Sequence, residues 1–223
     1  GRPGPVFLEL AWDVLCNGVD EDSLQIPKSY RTDARQAPDP RKVDEAMALL
    51  KSAERPAIIA GSSVYWDGAW DALRRFAETA QIPVYLNGAG RGCLPASHPL
   101  FFQHTRKEAL SGADLVFVIG TPFDFRLNYG AEPTFSAESK IVQVDIDPVE
   151  VGRNRVVDVG IIADSFSALS AFADAAPKGK RDSFISQLRE REHAPVTVRL
   201  PAAVDALAVN GQKVRPEGTA IGS

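Results

Sequence analysis

The sequence predicts an α/β fold, a parallel sheet of five to six strands with helices on both faces. Short apolar runs such as PAIIA at 56–60 and LVFVI at 115–119 recur along the chain and are too short to be helices. Between them lie segments whose apolar residues repeat at helical spacing. The runs are apolar throughout rather than alternating, as in strands buried on both faces of a parallel sheet. The run at 115–119 breaks at Gly120 into a loop carrying Asp124, Arg126 and Asn128. Open α/β sheets collect ligands at the carboxyl ends of their strands, so this loop holds the most informative polar groups.

In chain order, PVFLEL at residues 5–10 reads as a short strand between GRPG and a polar turn. Nothing before it can pair with it, so it is expected to be the last strand of a preceding domain ending near residue 15. Residues 16–38 are rich in Asp, Ser, Arg and Pro and read as a surface linker. The main domain, 39–176, opens with Asp39 as helix cap and Pro40 at the first helical position, followed by Val43, Ala46, Met47 and Leu50 on one face. Residues 56–60 form the first strand. Asp67 is expected to cap a second helix that buries Ala69, Trp70, Leu73, Phe76, Ala77 and Ala80, and 83–86 is the next strand. A glycine loop at 87–92, an aperiodic stretch at 94–104 and a short helix at 106–110 lead to the strand at 115–119. Two more strands follow at 141–145 and 157–162. Asp164 or Ser165 then caps a helix with Phe166, Leu169 and Phe172 inside. The segment 177–223 reads as linker and atypical tail, with a charged helix at 182–192 ending in a solvated RERE, a weak helical pattern at 201–208 and little expected order beyond.

Composition narrows the partners. The 223 residues are 44% hydrophobic and 24% charged, as in soluble globular proteins. A net charge of -4 argues against nucleic acid or an anionic membrane as partner. Cys16 and Cys93 are too few for a disulfide framework and show no metal-ligand spacing, which points to reduced thiols in a cytoplasmic protein. No run reaches the roughly 20 apolar residues of a membrane span. Because the chain opens at Gly1 with an unpaired strand, it reads as a piece of a longer one.

Glycines follow three strands: Gly61, the set Gly88, Gly90 and Gly92, and Gly120. They suit close approach of backbone amides to a phosphate, and tight strand-to-helix turns need them equally. No GxxxxGK[ST] occurs, nor a GxGxxG after the first strand, and Asn87 stands where a dinucleotide dehydrogenase usually has an acid. Asp145 and Asp147 end one strand in VDIDP and Asp164 ends the next. Each can accept ribose hydroxyls, or, for Asp164, cap the following helix. Arg126 can clamp a diphosphate or pair with Asp124.

GRPGPVFLELAWDVL at 1–15, AERPAIIAGSS at 53–63, GTPFDFRLNYG at 120–130 and VDIDPVEVGRN at 144–154 occur in order. Together they resemble the end of the pyrimidine-binding domain and the whole central domain of thiamine-diphosphate enzymes. The similarity covers residues 1–175 and is to the group of acetolactate synthase, oxalyl-CoA decarboxylase, 2-hydroxyacyl-CoA lyase and benzaldehyde lyase. It implies a Rossmann-like layer that holds FAD in some members, ADP in others and nothing in others. Carried onto this sequence, the phosphate side is Gly61, Ser62, Gly120, Thr121 and Arg126, and the adenosine side is Asp145, Ile146, Asp164 and Ser165. Phe125 stands where flavin-binding relatives often have a second acid, which weighs against flavin more than against an adenine nucleotide.

The resemblance further implies a homodimeric or homotetrameric parent that joins or cleaves carbon–carbon bonds of a 2-keto acid or acyl-CoA substrate. Thiamine diphosphate and Mg²⁺ would be held by its other domains. The family's GDG motif does not occur here, and Glu9 does not match the glutamate that activates the cofactor. No catalytic residue or metal ligand is therefore assigned within the chain, and the 223 residues alone are expected to be inactive. Two other functions fit the sequence, a cofactor-free spacer domain and a free-standing NAD-binding enzyme. The second requires a catalytic histidine from among His98, His104 and His193.

Overall fold

A computed structural model describes residues 2–29, 32–192, 207–209 and 212–214. Among them, five parallel strands form one sheet: β1 (Pro56–Ala60), β2 (Val84–Leu86), β3 (Leu115–Ile119), β4 (Lys140–Asp145) and β5 (Val159–Ile162), in the order β2-β1-β3-β4-β5. Before β1 come α1 (Trp12–Cys16) and α2 (Pro40–Ser52). Then follow α3 (Ser62–Trp66), α4 (Trp70–Ala80), α5 (Arg106–Gly112), α6 (Ser165–Ala175) and α7 (Asp182–Glu192). A separate antiparallel pair joins β6 (Leu207–Val209) to β7 (Gln212–Val214).

Register explains the layers. Val84, Ile58, Phe117, Val142 and Val159 form one row across all five strands, every one buried on the face covered by α2, α4 and α6. On this face Phe117 packs edge-on against Phe76 of α4 at 5.2 Å and Phe172 of α6 at 5.6 Å between centroids. Burying each such side chain contributes about 2–3 kcal/mol. The neighbouring row, Tyr85, Ile59 and Val118, faces the opposite layer of α5, the 121–139 loop and α7. The helix predicted at 182–192 thus does more than present charge: Phe184 and Leu188 are buried against this second face.

Local chemistry sets the ends. The Asp39 side chain accepts from Arg41 N at 2.9 Å with Pro40 at the first helical position, and Val43, Ala46, Met47 and Leu50 are the buried residues of α2, as the sequence predicts. Arg181 closes the other end of α2: its Nη2 donates to Leu50 O at 3.0 Å and Ala53 O at 3.2 Å, and its Nη1 to Ala80 O at the end of α4. A cation on the last carbonyls of two helices satisfies groups the helices cannot satisfy themselves. Glu192 ties α7 to the sheet edge, its carboxylate accepting from the backbone N–H of Gln103, His104 and Thr105 and from Thr105 Oγ1. Burial alone would raise the Glu192 pKa, but these four donors outweigh it and hold the carboxyl below its usual range.

Several expectations are corrected. Residues 5–10 form no strand, and Val6, Phe7 and Leu8 are 90, 87 and 76% exposed. Among the described residues beyond the five strands, the outer edge of β2 carries only a single bridge to Phe101, with Val84 N donating to Leu100 O and Phe102 N to Val84 O. Asp67 does not cap α4, whose first residue follows an uncapped Ala69. Trp70 and Phe166 are exposed rather than inside. Of the helical pattern at 201–208, Leu207 and Ala208 lie in a strand, and the rest falls outside the described residues.

Candidate functional site at the carboxyl end of the sheet

The chain leaves β1 for β2 on one side and returns to β3 on the other, so the ends of β1 and β3 flank the point where a parallel sheet opens a crevice. Gly61 and Gly120 meet there. Gly61 N donates to Ile119 O at 2.8 Å, and a Cβ on Gly61 would lie 2.6 Å from Gly120 O and clash with Thr121 Cβ. Gly120 adopts a φ of +59°, and a Cβ there would clash with Ser63 and stand 3.1 Å from Ser165 Oγ. These two glycines let three backbone segments approach more closely than side chains permit.

The glycine loop after β2 completes the cluster. Asn87 is buried; its Nδ2 donates to Thr121 Oγ1 at 3.2 Å and its Oδ1 accepts from Gly88 N. It thereby joins the ends of β2 and β3 across β1. Ser62 Oγ accepts from Ala89 N, and a Cβ on Gly88 would lie 2.6 Å from Ser62 Oγ and 3.7 Å from Arg126 Nη1. Gly61, Ser62, Gly120, Thr121 and Arg126 are therefore one neighbourhood. Ser165 belongs with it through Gly120.

Arg126 already has a partner, since Nε and Nη2 both reach the Asp124 carboxylate. This guanidinium holds the Asp124 carboxyl below the usual carboxylate range. The loop behind it is strained: Asn128, Tyr129 and Gly130 have φ of 48, 53 and 76°, and a left-handed tyrosine is unusual. Two side chains brace it. Arg155 donates to the carbonyls of Gly130, Ser136 and Ser139 at 2.6, 2.8 and 3.1 Å, and Asn154 Nδ2 donates to Phe123 O at 2.7 Å. Such strain, over-determined by its surroundings, is characteristic of ligand-facing loops.

The acids take separate roles. Asp145 ends β4 buried, its carboxylate accepting from Asp147 N at 2.9 Å; burial raises its pKa, against the Asp147 bond and Arg2. Ile146, beside it, is half-buried. Asp164 caps α6 through Ser167 N at 2.9 Å, and the same oxygen takes Arg35 Nη1 at 3.2 Å. Its other oxygen, Oδ2, is buried without a hydrogen-bond partner. Asp67, whose carboxylate accepts from Ser165 N at 2.7 Å, shares that helix end, and Arg35 lies over the Phe166 ring at 4.4 Å.

Sequence reasoning missed Arg35, Asn154 and Arg155, and gave Asp67 to the wrong helix. Their partners lie 16 to 129 positions away, and the contacts leave no local pattern. Of the two described histidines, His104 lines a cleft beside Tyr85, Arg91 and Arg106, away from the glycine cluster. His98 Nδ1 accepts from Leu100 N, with Nε2 3.1 Å from Glu78; His104 offers its backbone N–H to Glu192; and His193 lies outside the described residues.

Residues 43–172 match the family model for the thiamine pyrophosphate enzyme central domain. The chain is 34% identical over 171 residues to oxalyl-CoA decarboxylase of Escherichia coli, covering 76% of this chain and 30% of that protein. It is 41% identical over 133 residues to acetolactate synthase large subunit IlvG of Mycobacterium tuberculosis, covering 59% and 24%. Among solved structures it superposes on benzoylformate decarboxylase of Polynucleobacter necessarius with a TM-score of 0.60 at 26% identity, over 72% of this chain and 32% of that one. The chain thus spans about a third or less of the length of these relatives.

Proposed function

Because this chain belongs to the thiamine pyrophosphate enzymes and carries their central domain, we propose that it supplies the nucleotide-holding layer of an enzyme that forms or cleaves a carbon–carbon bond next to a carbonyl. The observation that carries the nucleotide reading is Asp164 Oδ2, a buried carboxylate oxygen lacking a donor beside a cradle of two glycines. A ribose hydroxyl supplies such a donor, and the Gly61–Gly120 cluster with Arg126 suits a diphosphate. Asp145, Ile146 and Ser165 complete the proposed set. Phe125, 74% exposed, offers no acid to a flavin, so ADP is favoured over FAD. Bound there, the nucleotide would be held in place, while these residues supply no reacting group.

Thiamine diphosphate and Mg²⁺ belong to the parent by family. The described residues contain no cluster of three or more His, Cys, Asp or Glu suited to a metal, and no GDG occurs. They do not fit that cofactor, and no catalytic step is assigned to them. The 223 residues alone, given thiamine diphosphate and Mg²⁺, are expected to turn over neither 2-keto acids nor acyl-CoA thioesters; product detected by mass spectrometry would contradict this. For the parent we propose a cytoplasmic homodimer or homotetramer, consistent with free Cys16 and Cys93. No described helix is long and apolar enough to cross a membrane. The domain limits proposed are 1–15 for the preceding domain, 16–38 for the linker, 39–176 for the central layer and 177–223 for the connection beyond it.

One observation favours an empty spacer instead: Arg126 is already engaged by Asp124. Calorimetric titration of ADP and FAD decides between the two. Arg126→Ala is expected to weaken ADP roughly ten- to hundredfold, the loss of a charge-assisted phosphate contact worth about 1.5–3 kcal/mol. Arg91→Ala, in the loop after β2, should cost far less. Wild type binding neither nucleotide gives the spacer reading, and an unaffected Arg126→Ala assigns the loop to packing.

A further inference from the structure

The opposite, amino end of the sheet carries a feature the nucleotide reading does not use. The end of α2, the turn into β1, segment 177–181 and the start of α7 enclose a cleft of about 520 Å³. Five cations line it: Lys51, Arg55, Lys178, Lys180 and Arg181. The only lining carboxylates are Glu54 and Asp182, although the whole chain has 29 acidic against 25 basic residues.

None of the five forms an ion pair with a described residue, although Asp114, whose carboxylate accepts from the N–H of Glu54 and Arg55, acts on Arg181. Arg55 uses Nε on Gly112 O at 2.8 Å, leaving its terminal nitrogens free. Arg181, behind them, is held by neutral carbonyls alone, and its buried Nε–H has no acceptor. The backbone that presents Lys178 and Lys180 is fixed, because Gly179 N donates to Thr79 O at 3.0 Å and leaves no room for a Cβ beside Ala80 O. Like charges gathered in one concavity repel one another and raise the local potential for an anion. Lysines as compact point charges suit several phosphate oxygens at once, whereas a single carboxylate would leave most of them unmatched.

We propose that this cleft binds a polyphosphate chain of two or three phosphoryl groups, free or carried by a nucleotide, at the end of the sheet remote from the glycine cluster. Isothermal titration of tripolyphosphate at fixed ionic strength tests it. Wild type is expected to saturate at one site, and Lys178→Glu with Lys180→Glu to lower affinity at least about tenfold. Arg126→Ala, at the other end of the sheet, should bind tripolyphosphate as wild type does, so failure of the nucleotide reading leaves this test intact. ATP titrated into Arg126→Ala, with and without Lys178→Glu and Lys180→Glu, separates the sources: affinity equal to tripolyphosphate assigns a free chain, and tighter binding that the lysine changes remove assigns a nucleotide-borne one. Lys51→Ala, on a helix surface, gives a milder second variant, expected to weaken binding about threefold. Absence of saturable binding to wild type, or affinity unchanged in both lysine variants, overturns the proposal.

Discussion

Gly120→Ala is expected to destabilise the protein by about 2–4 kcal/mol and to abolish the proposed ADP binding. Gly120 has φ of +59°, a conformation that costs an L-residue about 1–2 kcal/mol. The new methyl would also stand 3.0 Å from Ser63 Oγ and closer still to Ser63 Cβ. Neither is the far end of a flexible chain, so α3 must shift, a rearrangement that costs about 1–3 kcal/mol in a packed interior. Ser63 N donates to Gly120 O, so the shift also breaks the bond that joins the first turn of α3 to the end of β3. Gly112→Ala is the control: nothing lies within 4 Å of its Cβ position, and at the end of α5 alanine should be neutral or up to about 1 kcal/mol stabilising. Urea unfolding of both variants measures the difference. A Gly120→Ala loss below about 1 kcal/mol would mean that the glycine serves the turn alone and that the cradle has room to spare.

The sheet was legible because its signals are local. Apolar runs marked β1, β3 and β4 to within one residue, and Asp39-Pro40 marked the start of α2. The glycine positions at the strand ends were legible too, although which of them are tight was not. Closeness to Thr121 or Ser63 depends on the register of two strands more than 50 residues apart. Where two roles competed for one side chain, the sequence left the choice open. The structure gives Asp164 the helix cap with one oxygen and leaves the other without a donor, and gives Arg126 to Asp124 while its Nη1 stays near Gly88. Trp70 and Phe166 were misplaced because hydrophobicity was taken for burial. Their neighbours in the same first turns, Ala72 and Leu73 in α4 and Ser165 and Ala168 in α6, are the ones that are buried, so the two rings fall outside the buried stripe.

Arg181→Ala is expected to cost about 3 kcal/mol, although Arg181 lies in a segment whose composition marks it as linker. Its guanidinium bonds the carbonyls of Leu50, Ala53 and Ala80, at the ends of α2 and α4. Hydrogen bonds from a charged donor contribute about 1.5–3 kcal/mol each when deleted singly, and three that share one group do not add. The main loss is therefore in stranding carbonyls that water reaches poorly behind segment 177–181. Burial lowers the Arg181 pKa and Asp114 acts against it, yet a guanidinium stays protonated throughout the ordinary range, so the contribution should not vary between pH 6 and pH 9. Arg181→Met separates shape from charge, because it keeps the aliphatic packing and returns none of the hydrogen bonds. If methionine restores most of the stability, the clamp acts by filling space. If both variants unfold at the same lower urea concentration, the polar contacts hold the two helix ends, and segment 177–181 with α7 is fastened to the central layer through this one side chain as well as through Phe184 and Leu188.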